Sequence, residues 1–408
     1  MSTYHHYLLL FILILPYVHL LILKSQFISL PQPTPLTSNA FILIPICFGN
    51  PSTTNQCLNL IFDNNSHHIT LLSSTLNTLT GINVNVPYIT STTKQTTLFI
   101  SYTAINSTIH YTDIIFSKSK YLSQYEILVI NNLPFTMNDF LYSGFFGLGN
   151  SLITPYESIL TKMKHHNITK SSSFGYSFTS STEVSVYFDE DKFIKGKHYD
   201  YCYLGKHFGS FEANYFCITT EIRYDEVNDN GKETKKIMLD KIDLVLFSTK
   251  VHHMQMTTTG RKVFDVYIKH SQGKCKVVKG DDVSHLEYLQ CEEDVVVETF
   301  PDVHIVFMNS SLVMTIKAKD VFDEYGKSRV YVKNHCNYWE VDMNVLKYYD
   351  MHVDYEKALI GFRKNGIFEN EGHRHIKAVA IIKILFIVVI TEIICCIVFI
   401  FCIWKLKY

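Results

Sequence analysis

The segment Ile384 to Trp404 (ILFIVVITEIICCIVFIFCIW) holds a single charged residue, Glu392. A helix needs ~20 apolar residues to cross ~30 Å of hydrocarbon, so this run predicts a transmembrane helix over 384–404. A second uncharged run, Tyr7 to Leu23, closes at Lys24 and Ser25. It predicts residues 1–25 as a signal peptide or signal anchor, and Pro16, in a run already short for a bilayer, favours the cleaved form. Between the two lies an ectodomain on the lumenal or extracellular side, a juxtamembrane stalk over 364–383, and after the helix a cytosolic tail over 405–408 with Lys405 and Lys407. The membrane is thus one expected partner of the chain.

The oxidising side of a membrane is consistent with two further patterns. Four N-x-[ST] tripeptides begin at Asn64, Asn106, Asn167 and Asn309, which makes the chain a candidate glycoprotein. Seven of the 10 cysteines fall in the ectodomain, at Cys47, Cys57, Cys202, Cys217, Cys275, Cys291 and Cys336, so most are expected to pair and one to remain over. None of them forms a C-x-x-C pair of the zinc-ribbon or thioredoxin kind. Lys+Arg 37 against Asp+Glu 38 leaves a net charge of -1, which offers no basic footprint for a nucleic acid. With 47% hydrophobic residues, 28 Phe and 26 Tyr, the chain is too apolar to stay unfolded.

Local patterns in the ectodomain are short, β-branched or aromatic, and bounded by turn residues. They include Leu58–Phe62, Thr97–Ile100, Glu126–Ile130, Glu183–Phe188, Asp243–Phe247 and His304–Phe307. The best helical pattern is Pro155–His165, entered from Thr154 with Pro at the first position. The expectation is a mainly-β ectodomain of two lobes sharing one interface, since more than 300 residues exceed one ordinary sandwich.

Four stretches in series give this expectation a family. Phe41–Leu72 (FILIPICFGNPSTTNQCLNLIFDNNSHHITLL) resembles the opening hairpin of the pepsin-like aspartic peptidases, with Gly49 and Pro51 at the turn and Asp63 where the first catalytic aspartate stands. Ser143–Gly149 (SGFFGLG) is similar to that family's DGILGLG. Glu287–Phe307 resembles its Y-x-x-C then LPdIxF stretch, through Tyr288, Cys291 and Phe300–Phe307. Leu346–Phe362 (LKYYDMHVDYEKALIGF) is similar to its closing segment. The resemblance covers residues 41–363 and implies a bilobal, mainly-β pepsin-like aspartic peptidase fold, with an N-lobe over about 41–190 and a C-lobe over about 191–363.

The chemistry that the resemblance implies needs two aspartates sharing one proton, one ionised to activate water and the other protonated to polarise the scissile carbonyl. Here the first site reads Asp63-Asn64-Asn65-Ser66, with Asn64 and Asn65 in place of Thr and Gly. Asn tolerates left-handed backbone better than most residues, so the turn is expected to form. Alignment of Asp243–Thr249 (DLVLFST) puts Phe247 where the second aspartate belongs, followed by Ser248 and Thr249. Asp243 lies four strand residues away, ~13 Å at ~3.3 Å per residue, too far to share a proton with Asp63.

By the same resemblance Tyr102 is the flap tyrosine, and Ser66 and Ser248 border the cleft. Cys291 with Cys336 matches the C-lobe bridge. Cys47 and Cys57 flank the opening hairpin, where cross-strand pairing is plausible. Glu340-Val341-Asp342-Met343 stands for the family's I-L-G-D turn. Adjacent pairs such as His67-His68 point to opposite faces of a strand, so no metal and no cofactor is expected. The reading that results is a membrane-anchored pepsin-like homologue whose cleft holds an extended peptide or protein ligand without cutting it. Its rivals are an active aspartic endopeptidase using Asp63 with an unrecognised second carboxylate, and a structural surface protein with a vestigial cleft.

Overall fold

The computed structural model describes residues 21–368 apart from 30–39, 53–54, 75–81, 83–88, 101–102, 118, 133–142, 150–156, 190–196, 204, 207–214, 228–232, 240–242, 250–253, 281–285, 324 and 334–337. Within them the chain is mainly β, arranged as one sheet of 13 strands and one of 11. Among the described residues no helix is long and apolar enough to cross a membrane, and the run 384–404 lies outside them.

Each predicted strand lies within or coincides with an observed one. Leu58–Phe62 is the buried end of the strand Asn55–Asp63, and Glu126–Ile130 that of Lys120–Ile130. Thr97–Ile100 closes Thr90–Ile100, while Glu183–Phe188 and Asp243–Phe247 are whole strands. The predicted helix starts late, at Ile159 instead of Pro155. Ser158 is the reason, because its hydroxyl accepts from the Thr161 N–H and supplies the N-cap. Ile159, Leu160 and Met163 then face the core.

The larger sheet joins the two halves of the sequence. Ser173–Phe178 and Glu183–Phe188 from the first half are flanked by Tyr349–Asp354, which pairs with Leu359–Lys364 and through it with Asp200–Tyr203. On the other side Leu21–Ser29 is inserted antiparallel between Glu183–Phe188 and Ala40–Gly49. This strand overlaps the end of the expected N-terminal segment. More than half of a sheet strand lies within residues 1–25, and Ser25 is buried there, 5% exposed. A leader ending at Ser25 would remove that strand.

Three disulfides form. Cys47–Cys57 bridges facing positions of the opening hairpin, as its geometry suggests. Cys202–Cys217 links a strand of the larger sheet to one of the smaller. Cys275–Cys291 corrects the expected Cys291–Cys336 bridge: Cys275 and Cys291 face each other across the antiparallel pair Cys275–Lys279 and Leu286–Cys291, so Cys291 is already taken. Cys336 lies outside the described residues.

Candidate functional site

The strand Asn55–Asp63 runs parallel to Gly144–Gly147 and ends at Asp63. The chain then turns through Asn64, Asn65, Ser66 and His67. The turn is clamped from behind by the Gly-Leu-Gly stretch after the second strand: Leu148 N–H donates to Asp63 O at 2.7 Å and Gly149 N–H to Ser66 O at 2.7 Å. These contacts require glycine. A Cβ on Gly147 would stand 2.2 Å from His68 O, and one on Gly149 2.3 Å from Asn65 O. The GLG motif thus holds the carboxylate turn by main-chain bonds at close approach.

Asp63 is fully buried at 0% exposure, and its Oδ1 accepts the N–H groups of Asn65 (3.0 Å) and Ser66 (3.1 Å). Neither Asn64 nor Asn65 has left-handed backbone, so the turn closes without the conformational tolerance expected of Asn. Next to the acid, burial lowers the pKa of His67 while Asp63 pulls it upward. Burial, reinforced by His67, takes His68 down to about 3. Both imidazoles are therefore neutral at neutral pH.

The second half of the site comes from Asp243–Phe247, which continues into Ser248 and Thr249. Its strand runs parallel to Trp339–Val341, and Ser248 N–H donates to Val341 O at 2.9 Å. Asn64 and Thr249 then cross between the halves. Thr249 N–H donates to Asn64 Oδ1 at 3.0 Å, and Asn64 N–H donates to Thr249 Oγ1 at 3.2 Å. Outward from this pair, Thr249 Oγ1 donates to Phe62 O at 2.7 Å and Asn64 Nδ2 donates to Phe247 O at 2.9 Å. Thr249 is 0% exposed and Asn64 8%.

This crossing has approximate two-fold symmetry, and the symmetry fixes the register. Phe62, Asp63 and Asn64 on one side answer to Phe247, Ser248 and Thr249 on the other. The residue that mirrors Asp63 is therefore Ser248 and not Phe247, a shift of one from the sequence alignment. Phe247 is 2% exposed, with its ring 4.6 Å from that of Phe362 and 5.9 Å from that of Phe307. It belongs to the hydrophobic core and contributes its carbonyl to the crossing. Ser248, 2% exposed, brings a hydroxyl where a dyad would bring an acid.

A third layer supports this floor. Tyr355 Oη donates to Asn64 O at 3.3 Å from the turn between the last two strands. Below Ser248, Asp342 caps the short helix Met343–Leu346, its carboxylate accepting the backbone N–H and the side-chain Nδ2 of Asn344. It is 1% exposed, and burial raises its pKa to about 6 against the pull of those bonds. Asp243 is engaged by Trp339 Nε1 at 2.9 Å and by Thr257 Oγ1 at 3.2 Å, so it serves the frame of the smaller sheet.

The other expected site residues are distributed as follows. Ser66 sits in the Asp63 turn. Tyr102 lies outside the described residues, between the strands Thr90–Ile100 and Thr103–Ser117 of one long hairpin. Asn106, Asn167 and Asn309 are exposed, whereas Asn64 is buried with its amide used on both sides of the crossing. Asn64 is accordingly expected to carry no glycan in folded protein, which peptide mass spectrometry of the purified full chain checks; a glycan there excludes this crossing. Among the described residues no group of three or more His, Cys, Asp or Glu could hold a metal. The role of Asn64 had one sequence signal, its place in the D-x-x-S turn, but its partner lies 185 positions away. No protein-family model matches the sequence, and no curated protein matches it.

Proposed function

We propose that this chain is a pepsin-like aspartic peptidase homologue, anchored by its C-terminal helix with the ectodomain on the lumenal or extracellular side, that binds extended peptides and does not cleave them. One observation carries the reading: the Asn64–Thr249 crossing sets a hydroxyl, Ser248, in the position that mirrors Asp63. Hydrolysis by the two-acid route needs one carboxylate to take a proton from water while the other donates to the substrate carbonyl. A serine hydroxyl supplies neither the shared proton nor the charge. Loss of one member of such a unit costs several powers of ten in rate. The mainly-β architecture of two large sheets, the buried and backbone-bonded Asp63 and the GLG clamp support the family reading. A cleft between two lobes retains a use, since an extended peptide binds there through main-chain hydrogen bonds.

The test has a catalytic and a binding arm. Purified ectodomain incubated with unfolded protein between pH 3 and 7 is expected to cleave no faster than its Asp63→Asn variant. Turnover by the wild type that vanishes in Asp63→Asn overturns the proposal. Ser248→Asp is expected to create acid-dependent cleavage, at least about 10³-fold above wild type, and Asp63→Asn in that background abolishes it. In the binding arm, retention of an extended-peptide library is lost in Ser66→Trp, which fills the cleft beside Asp63, and kept in Asp63→Asn. Equal retention by all three variants favours a vestigial cleft.

A further inference from the structure

Away from the inter-lobe site, a cavity of about 310 Å³ opens between the start of the strand Lys120–Ile130 and the end of the helix Ile159–His165. Its lining is Ser119, Lys120, Tyr121 and Ser123 on one side, with His166, Asn167 and Ile168 on the other. The size is at the lower end of small-ligand sites. The chemistry points to a neutral, hydroxyl-rich occupant. Lys120 Nζ already donates to Ile168 O at 3.1 Å, and the helix presents its carbonyl end, which disfavours an anion. Tyr121 is 43% exposed, an uncovered aromatic ring beside polar groups, the surface against which the apolar face of a pyranose lies.

Two features of the adjoining turn link this cavity to a covalent attachment. Asn167 is exposed in left-handed backbone (φ 56°), with its N–H tied to Lys164 O, so its side chain is held on the cavity rim. Thr169, two residues on, is 5% exposed, and its Oγ1 has no hydrogen-bond partner among the described residues. A buried, unpaired hydroxyl costs folding energy that the isosteric valine would avoid. The Asn-x-Thr acceptor, by contrast, requires that hydroxyl. Because the hydroxyl is buried once the turn closes, transfer must precede local folding.

We propose that Asn167 carries an N-linked glycan whose first N-acetylglucosamine lies in this cavity against the Tyr121 ring; the inference rests on the lumenal placement given above. In the transfer a bond forms from Asn167 Nδ2 to the anomeric carbon of the sugar. The bond from that carbon to the diphosphate of a polyprenyl-diphosphate donor breaks, and the amide proton leaves with the diphosphate. Seated in this way, the glycan ties the strand Lys120–Ile130 to the helix end.

The test uses the full chain made in cells restricted to high-mannose glycans, with each site quantified by mass spectrometry. Asn106, Asn167 and Asn309 are expected to be occupied. Native endoglycosidase is expected to release the Asn167 glycan roughly tenfold more slowly than the other two, equivalent to about 1.4 kcal/mol of seating. Tyr121→Ala keeps the occupancy and removes the delay. Thr169→Val abolishes occupancy at Asn167, and its thermal midpoint exceeds that of enzymatically deglycosylated wild type. A bare Asn167 beside occupied Asn106 and Asn309 overturns the inference and leaves the lumenal reading intact. Equal release at all three sites, or a lower midpoint in Thr169→Val, also overturns it. Three bare sites overturn the lumenal reading and the inference together.

Discussion

Thr249→Val lowers the unfolding free energy by about 2–6 kcal/mol. Valine fills the same volume, so no cavity opens and the effect isolates the hydroxyl. Its removal leaves Phe62 O without its donor and Asn64 N–H without its acceptor, both at a site 0–8% exposed. Each stranded group costs about 1–3 kcal/mol, because no water replaces the lost partner. Asn64→Leu strands Phe247 O and Thr249 N–H in the same manner. The two changes act on one network, so the double variant is expected to fall short of the sum by about 1–3 kcal/mol. Urea titration of the four proteins at pH 7 checks this. A loss below about 1 kcal/mol in Thr249→Val, or full additivity, would mean that the crossing does not join the two halves.

The same crossing explains why the site was only partly legible in the sequence. Asp63 was readable because its surroundings are local: a hairpin, an acid at a strand end, a serine three residues on, and a GLG stretch whose glycines face the turn. The mirror position had no such frame. In Asp243–Phe247 the residues Val245, Leu246 and Phe247 are all buried, so the strand lacks the alternation that would fix its register. A one-residue shift then separates Phe247 from Ser248. Only the hydrogen bonds from Asn64, 185 positions away from Thr249 in sequence, settle which of them mirrors Asp63.

Elsewhere the misses share that cause. An apolar leader and the start of a strand look alike, and Leu21–Ser29 begins in the last residues of the first hydrophobic run. Cys291 had several possible partners, and a cross-strand contact chose Cys275. Strand identities were readable by contrast, since β-branched and aromatic runs bounded by turns need no distant partner to declare themselves. The sequence pattern enters this helix from Thr154, whereas the N-cap is Ser158, whose hydroxyl accepts the Thr161 N–H.

Acid is expected to act on this protein through two buried groups with opposite signs. His352 lies in the strand Tyr349–Asp354 of the joining sheet, 1% exposed and enclosed by tyrosines: Tyr187 is stacked at 6.3 Å, while Tyr199 and Tyr201 are edge-on at 6.2 Å. The cage is built into the backbone, for a Cβ on Gly175 would stand 2.3 Å from Tyr187 Oη and one on Gly361 2.5 Å from the Tyr201 ring. Neither ring nitrogen of His352 has a hydrogen-bond partner among the described residues. Burial lowers its pKa from 6.5 to about 4, with Asp354 opposing and Lys357 assisting. A base held neutral by the fold contributes stability that is complete above pH 6.5 and is lost as pH falls towards 4, about 3 kcal/mol in all. Asp342 runs the other way. Its pKa is raised by burial from 3.8 to about 6, so the folded state takes up its proton first and stability rises by about 3 kcal/mol as pH falls from 6 to 4. The two nearly cancel, and the wild-type curve is expected to be shallow over that interval. His352→Phe removes the falling limb, so its stability relative to wild type improves by about 3 kcal/mol between pH 7.5 and pH 4. Asp342→Asn removes the rising limb and worsens by a similar amount over the same range. Denaturant midpoints across pH 4 to 7.5 measure both. Parallel curves for His352→Phe and wild type would show that the imidazole in the cage is already hydrated or paired, and a common slope for both variants would remove the opposition between them. The opposition arises from where the two groups are buried: His352 in the strand Tyr349–Asp354 of the larger sheet, and Asp342 just after Trp339–Val341, the strand that pairs with Asp243–Phe247 in the smaller one.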